Sequence, residues 1–290
     1  MKRFFKVTAW IIGAVATLLI AAAVYILLIF DPNKYKAEIA AAVHDATGRE
    51  LAIQGTLKLS LFPWLGVETG AMTLNNLPEF GPQPFAKIEG AAIKVKLLPL
   101  FKKDVEVDTV TLNGLYLNLQ RSAAGRGNWE DLTAKSEKEP APAPSAASAA
   151  APALATFAIG GVRIENATII WDDRQSKARY ELNHFALHTG PVSAKAPVAL
   201  NLDTEVKSSA PALTAHLNLT TQAQYDFDTQ QLQLKGLKLA AEAHGPGLPA
   251  DVTKLTVTTD AEIKLAESQY RLSKLKLIAA LRGDKLPGKQ

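Results

Sequence analysis

The sequence predicts a mainly β protein in which a transmembrane helix and one short amphipathic helix precede many antiparallel strands. The first observation is that residues 7–30 carry no charge. The second is that apolar residues from Glu50 onward alternate with polar or small ones, which is the period of a half-buried strand. The third is that no comparable helical pattern interrupts this alternation, which favours strands joined by turns over β–α–β units.

The uncharged run is long enough to anchor the chain in a membrane. Its 24 residues form a helix of roughly 36 Å, and a bilayer core is about 30 Å thick. The basic residues of segment 1–6 predict a cytoplasmic tail, so residues 31–290 would lie on the far side. A cleaved signal peptide is disfavoured because the apolar run continues past residues 21–23. The aromatic residues that we expect near the membrane are Trp10, Tyr25, Phe30 and Trp64.

A short helix is predicted directly after the anchor, at residues 33–47. Asp31 and Pro32 are a typical N-cap and first residue, and Gly48 suits the position after the last turn. Its apolar side chains recur at helical spacing and are Tyr35, Ile39, Val43 and Ala46. This apolar face could cap a sheet or lie on lipid, and we favour capping.

Composition and motifs argue against several functional classes. The chain has no cysteine, which excludes disulfides and thiol-based zinc sites. The net charge of +4 is spread along the chain, so we expect no nucleic-acid partner. His184 and His188 share a strand face but lie about 13 Å apart, too far to bind one metal ion. Asp172 and Asp173 point to opposite faces, and residues 172–176 read as a hairpin turn.

We therefore expect no enzyme, no cofactor and no metal. The catalytic motifs HExxH, GxSxG, the phosphate loop and GxGxxG do not occur. A hydrolase is the least favoured of three readings, behind a lipid-binding protein and a scaffolding protein.

The alternating segments divide into two parts. Residues 31–133 form a first β module, residues 134–155 are a Pro/Ala/Ser-rich linker, and residues 156–290 form a second antiparallel segment. Asn113-Gly114 between two alternating runs predicts a hairpin. Some fifteen to eighteen strands at about 4.8 Å spacing would make a sheet of roughly 70 to 85 Å. Such a sheet can close, pack on a second sheet, or stay open with one apolar face that needs a ligand.

The apolar positions of the first module are the residues that we expect to contact such a ligand. They are Leu57, Leu59, Leu61, Ile93, Val95, Leu97, Val110, Leu112, Leu115, Leu117 and Leu119. Trp64 stands apart, because an aromatic residue after a proline at a strand end is either a packed corner or a lipid-facing rim.

Several segments together resemble the N-terminal region of the AsmA family. After the anchor these are residues 31–36, 46–51 with 53–55, 59–66, 84–86, 95–100, 112–114 and 125–129, which read DPNKYK, ATGREL with IQG, LSLFPWLG, PFA, VKLLPL, LNG and GRGNW. The resemblance is dense over residues 1–133. Past the linker, residues 157–172 look like the family's second segment.

The resemblance implies a protein of Gram-negative bacteria, anchored in the inner membrane with its bulk in the periplasm. It also implies a long curved sheet with one apolar, groove-like face, similar to bridge-like lipid-transfer proteins. The expected partners are phospholipid acyl chains, and the expected process is outer-membrane biogenesis and envelope lipid homeostasis. The alternative is a membrane-tethered factor for targeting and assembly of outer-membrane proteins, without lipid transport. Family members are usually much longer, so we expect a truncated product or a short paralogue.

Overall fold

The computed structural model describes residues 31–283 except 61–63, 101–104, 135–156, 194–195, 227–228, 247, 249–251 and 265–266. The predicted anchor at 7–30, Leu61 and nearly all of the predicted linker lie outside the described residues. Within the described part, no helix is long and apolar enough to cross a membrane.

The predicted short helix is present, with its first turn wound more tightly. Asp31 caps a 3₁₀ turn at Pro32–Tyr35 and accepts a hydrogen bond from the Asn33 amide. Helix α1 then spans Lys36–Thr47 and ends at Gly48, whose φ of 74° is the left-handed value that suits glycine. Two short helices follow later, α2 at Leu97–Leu100 and α3 at Glu130–Ala134.

Sixteen strands make up the rest of the described fold. In the first half these are β1 (Leu51–Ile53), β2 (Leu57–Ser60), β3 (Trp64–Thr69), β4 (Met72–Leu74), β5 (Ala86–Ile88), β6 (Gly90–Lys96), β7 (Val105–Asn113) and β8 (Tyr116–Arg121). In the second half they are β9 (Phe157–Asp173), β10 (Ala178–Thr189), β11 (Val192–Ser193), β12 (Val198–Ser209), β13 (Ala212–Asp226), β14 (Gln231–His244), β15 (Val252–Lys264) and β16 (Gln269–Arg282).

All sixteen strands belong to one open, curved sheet. One path runs β1-β4-β5-β8-β9-β10-β12-β13-β14-β15-β16, and a second row, β2-β3-β6-β7, joins it at β9. The strands β1 to β8 are short and lie in two rows side by side. The longer strand β9 pairs with the last strand of each row, β8 and β7. Each path is eleven strands deep, so ten spacings of about 4.8 Å give roughly 48 Å. The longer sheet expected from the strand count is wrong for this reason.

The sheet is mainly antiparallel, as predicted, but two parallel strand pairs make it mixed. β7 and β8 both pair with β9 in parallel, in one register that is unbroken from Val105–Phe157 to Arg121–Asp173. A parallel pair needs a long connection, and 35 residues separate Arg121 from Phe157. Every other strand pair is antiparallel among the described residues.

The predicted hairpin at Asn113-Gly114 is also wrong. The chain continues in the same direction from β7 into β8, since the Gly114 amide donates to the carbonyl of Glu165 and the Leu115 carbonyl accepts from the Thr168 amide. The φ of 61° at Gly114 makes a kink instead of a reversal. The turn predicted at residues 172–176 is confirmed, because it joins β9 to β10.

Kinks recur in the long strands as β-bulges. Residues with positive φ inside strands, or between β7 and β8, are Gly114, Gly161, Asn166, His184, Gly236 and Lys274. At the last three, two residues oppose a single threonine of a neighbouring strand, which is Thr204, Thr221 or Thr259 respectively. A bulge of this kind bends the strand and increases its twist.

Each of these threonines fixes its bulge through its hydroxyl group. The hydroxyls of Thr204, Thr221 and Thr259 donate hydrogen bonds of 3.1, 3.2 and 3.0 Å to the carbonyls of the residues before His184, Gly236 and Lys274. All three threonines are at most 7% exposed. The hydroxyls are therefore satisfied within the sheet and leave an apolar surface above them.

Candidate functional site: an apolar face across the sheet

Side chains that are register partners lie on the same face of a sheet, so the pairing shows which residues form each surface. One row crosses all eleven strands of the path that starts at β2. Its members are Leu57, Thr69, Ala91, Leu112, Ile164, Leu187, Leu202, Leu219, Leu239, Val257 and Leu277. We call it the Leu57–Leu277 row, and all of its members except Thr69 are apolar.

A second apolar row runs beside the first and starts at β1. Its members are Leu51, Leu74, Ala86, Leu117, Ile169, Leu182, Val206, Ala215, Ala243, Thr253 and Leu281. On β12 the two rows lie four residues apart, at Leu202 and Val206, which is about 13 Å along the strand. The two rows define one continuous apolar face.

The opposite face is polar over the same distance. The row displaced by one residue consists of Lys58, Glu68, Ala92, Thr111, Arg163, His188, Asn201, Thr220, Lys238, Thr258 and Lys276. The Lys94 ammonium lies 2.7 Å from the Glu68 carboxylate on this face. The hydrogen bond between these two groups and the attraction of their opposite charges lower the pKa of Glu68 and raise the pKa of Lys94. This is a normal solvated surface.

The apolar face is not covered by a second layer of the described structure. Most of its side chains are half-buried, and the buried ones on β12 to β15 are small residues between longer neighbours. Thr204, for example, is 2% exposed and is flanked by Leu202, Val206 and its register partner Leu217. Of the three arrangements that the sequence allowed, the described residues adopt the open sheet with one uncovered apolar face.

The face is most open at its two ends. At the β2 end, Leu65, Val67 and Ile93 are 39%, 47% and 47% exposed. At the other end, Leu272 and Leu277 of β16 are 58% and 61% exposed. Between the two ends, Tyr180 of β10 is the one large apolar side chain of the described residues that is similarly exposed, at 41%, and the other large apolar side chains there are shielded better.

The predicted ligand-contacting residues fall mostly on this face. By register, the residues placed there are Leu57, Leu59, Ile93, Val95, Val110, Leu112, Leu117 and Leu119. Leu115 lies at the kink between β7 and β8, and Leu97 begins helix α2 instead of continuing β6. Leu61 lies outside the described residues.

Of the four aromatic residues predicted near the membrane, Trp64 alone belongs to the described residues. Trp10, Tyr25 and Phe30 lie outside the described residues. Trp64 opens β3 on the polar face, opposite Lys96, whose ammonium is 5.7 Å from the centre of the indole ring. The lysine stem and the ring thus cover each other at this corner.

A buried polar cluster closes the free edge of β8. The Arg49 side chain is fully buried and donates from Nε and Nη2 to the Asp131 carboxylate at 3.0 and 2.7 Å. Its Nη2 also donates to the carbonyl of Asn128, and its guanidinium lies 4.4 Å above the ring of Phe85. The Asn128 side chain in turn accepts from the Gln120 amide. This cluster attaches the segment between α1 and β1 to helix α3.

Trp129, which lies between Asn128 and helix α3, places its aromatic ring on the apolar face. Trp129 lies 5.1 Å from Trp171, ring centre to ring centre. Trp171 is a register partner of Leu119 and Tyr180, which both lie on the apolar face. Trp129 therefore covers the strand ends at one side of the face.

Within the described ranges, no group of three His, Asp or Glu side chains could hold a metal ion. His216 lies on the polar face, where Asp203 is 3.1 Å from it and Glu205 is its register partner. The Glu205 pKa is lowered, mainly by its hydrogen bond from Lys207.

The bulge residues were missed by sequence reasoning, although a signal for them exists. In β14 the apolar positions shift from even to odd numbers, from Leu232 and Leu234 to Leu237 and Leu239, yet all four lie on the apolar face. A bulge adds one residue, so it reverses the parity of the alternation without moving side chains to the other face. Such a shift within one run predicts a bulge.

Comparison with known proteins identifies the family. The AsmA family profile matches residues 1–280. The chain belongs to the AsmA family. This confirms the resemblance drawn from the motifs at residues 31–129.

A curated member of the family can be aligned over part of the chain. Protein AsmA of Escherichia coli (strain K12) is 27% identical over 101 residues, which are 35% of this chain and 16% of that protein. The aligned part thus spans about a sixth of the relative. No solved structure matches this chain.

Proposed function

We propose that this AsmA-family protein binds phospholipid acyl chains on its apolar face and lets them move along it without chemical change. The observation that carries the proposal is the Leu57–Leu277 row, which is apolar at ten of its eleven positions and crosses the whole sheet. Soluble monomeric proteins rarely expose a continuous apolar surface of this extent, and such a surface is typical of a binding site.

The energetics of lipid transfer require such a surface. Burying one methylene stabilises by about 0.8 kcal/mol, so an acyl chain of roughly fifteen methylenes costs about 12 kcal/mol when it is exposed to water. A surface that stays apolar from strand to strand replaces this contact with water at every step. The buried threonine hydroxyls support this function because they donate to backbone carbonyls and present no free polar group to the chain.

The setting of this activity is part of the proposal. The uncharged run at 7–30 would hold the protein in the inner membrane with the sheet in the periplasm, and lipid movement would serve outer-membrane biogenesis. At roughly 48 Å, the described sheet gives the length of the proposed path.

A second function is favoured by one observation. Among the described strands β16 lies at one end of the sheet, and all of its fourteen residues are exposed. An exposed edge can pair with a strand of another protein, as expected of a scaffolding factor for outer-membrane proteins. However, β16 carries Arg271, Lys274, Lys276 and Arg282, and charged edges are also a normal protection against unwanted pairing.

Site-specific photo-crosslinking in cells tests the lipid proposal. A benzophenone amino acid replaces Leu219 on the apolar face, and the matched control replaces the next residue, Thr220, on the polar face. We expect phospholipid adducts at position 219 and none at position 220, detected by mass spectrometry of the purified chain. If positions 117, 219 and 239 all fail to give adducts, lipid binding on this face is refuted.

A charged substitution separates the two functions. Leu117→Glu places a carboxylate in the second apolar row at a half-buried position. Under the lipid proposal the adduct at position 219 is lost while the protein still folds, whereas a scaffolding factor that pairs through β16 is unaffected. The control is Thr111→Glu, at a half-buried position of the polar row, and both variants are scored only if their circular dichroism is unchanged.

A further inference from the structure

The chain leaves the predicted anchor at a defined place on the sheet. Asn33 lies three residues after Phe30, so at full extension its Cα is within about 10 Å of the end of the anchor. Its side-chain amide makes two hydrogen bonds to the backbone of Leu57, accepting from the amide at 2.9 Å and donating to the carbonyl at 3.1 Å. We call this pair of bonds the Asn33–Leu57 clasp.

The clasp occupies the outer edge of β2. Among the described strands β2 pairs with β3 alone, and the Thr56 carbonyl accepts from the Gly70 amide across that pair. In this antiparallel register the backbone groups of Leu57 point away from β3, where Asn33 meets them. Asp31 holds Asn33 in place, since it accepts from both the backbone amide and the side chain of Asn33 at 2.9 Å.

Leu57 is also the first member of the Leu57–Leu277 row. The clasp therefore attaches the start of the apolar face to the residues that directly follow the predicted anchor. The opposite end of the row, Leu277, is roughly 48 Å away. The short tether decides which end of the face the bilayer can contact.

The exposed apolar side chains at this end form one patch. Leu65, Val67 and Ile93 lie on the apolar face, and Val67 pairs with both Leu59 and Ile93. Their exposure is not an edge effect, because Leu57 and Leu59 on the edge strand are half-buried while β3 and β6 lie further inside the sheet. On the other face of the same strands, Lys58, Glu68 and Lys94 are solvated.

We infer that Leu65, Val67 and Ile93 form the membrane-facing end of the apolar face, seated on the acyl region of the bilayer leaflet next to the anchor. Lipid enters or leaves the face here, and the Asn33–Leu57 clasp holds the patch at the membrane. The inference rests on the proposed lipid function and adds its point of exchange. The partner is the bilayer itself, since the tether is too short for another protein to separate the patch from the membrane.

The absence of cysteine in the chain allows single-cysteine labelling. The full chain is reconstituted into phospholipid vesicles with an NBD dye at Val67→Cys or Ile93→Cys, and lipids brominated on their acyl chains serve as quenchers. Two controls carry the same dye. Lys58→Cys lies at the same end on the polar face, and Leu277→Cys lies on the apolar face at the far end.

We expect the dyes at positions 67 and 93 to lose most of their fluorescence and the dyes at 58 and 277 to keep theirs. Equal quenching at 67 and 58, or at 67 and 277, overturns the inference. Asn33→Ala removes both bonds of the clasp and should reduce quenching at 67. A flexible Gly-Ser spacer between Phe30 and Asp31 leaves the clasp intact and should have the same effect, which covers the case in which Asn33→Ala does not fold.

Failure of this inference is distinguishable from failure of the proposed function. Phospholipid adducts at position 219 without quenching at 67 would support lipid binding and refute this site of exchange. Quenching at 67 without adducts at 219 would show a membrane-seated patch and refute movement of lipid along the face.

Discussion

The ion pair between Arg49 and Asp131 should determine how firmly the segment that joins helix α1 to β1 is held to helix α3. The two residues are far apart in the sequence, and they connect the end of α1 with α3. The Arg49 side chain is 0% exposed and that of Asp131 is 20% exposed. We therefore predict that the two partners respond differently to removal.

The larger cost belongs to Asp131→Ala. Loss of one partner of a buried, hydrogen-bonded ion pair costs about 3–5 kcal/mol, because the remaining charge is left without compensation. After Asp131→Ala the guanidinium stays buried with only the Asn128 carbonyl and the ring of Phe85, so we expect about 3 kcal/mol or more. Arg49→Met leaves a carboxylate that water can reach and a side chain that still packs on Phe85, so we expect about 1–2 kcal/mol.

Urea unfolding of the full chain in detergent micelles measures these free energies. Tryptophan fluorescence is a suitable signal because Trp129 and Trp171 are in contact. The matched control is the exposed pair Arg126–Glu79, 3.0 Å apart, whose side chains are 55% and 50% exposed. Glu79→Ala should cost about 0–1 kcal/mol. The reasoning is refuted if Asp131→Ala costs no more than Glu79→Ala, or less than Arg49→Met.

Four further predictions concern the bulges, one close approach of two backbone segments and one aspartate. Gly236→Ala should cost about 1–2 kcal/mol, since its φ is 61° and a Cβ there meets no atom within 4 Å, so only backbone strain acts. Gly55→Ala should cost more in the same urea titration, since its Cβ would lie 2.2 Å from a backbone nitrogen. Thr221→Val should cost about 1–2 kcal/mol and speed hydrogen exchange at Gly236, because the carbonyl before Gly236 loses its partner; unchanged exchange would contradict this role. The hydrogen bond from the Gly236 amide, followed by that from Lys274, lowers the pKa of Asp260. Because its pKa is lower in the folded protein, ionised Asp260 stabilises the fold above about pH 4, and this stabilisation is lost as the pH falls further. Asp260→Asn should therefore flatten the dependence of the unfolding free energy on pH in that range.

The strand content and the apolar face could be predicted from the sequence because they depend on local alternation. The alternation of apolar and polar residues alone assigned Leu57, Leu112 and Leu117 to one apolar surface, and the strand register places all three there. Helix α1 was predicted for the same reason, since capping by Asp31 and termination at Gly48 are properties of neighbouring residues.

The pairing of distant strands could not be predicted in this way. The Asn113-Gly114 pattern specifies a positive φ, which serves a kink as well as a hairpin. The choice was made by β9, which pairs in parallel with both flanking strands. The Arg49–Asp131 pair and the Asn33–Leu57 clasp join residues that no sequence spacing connects.

The sequence by itself determined that this AsmA-family chain is a β protein with one apolar face, since a period of two places alternate side chains on opposite sides of any strand. Only the tertiary structure decided that the face is continuous, roughly 48 Å long and attached at Leu57 to the residues that follow the predicted anchor. Continuity depends on register between strands, and register depends on bulges and long-range hydrogen bonds that bring separate segments together.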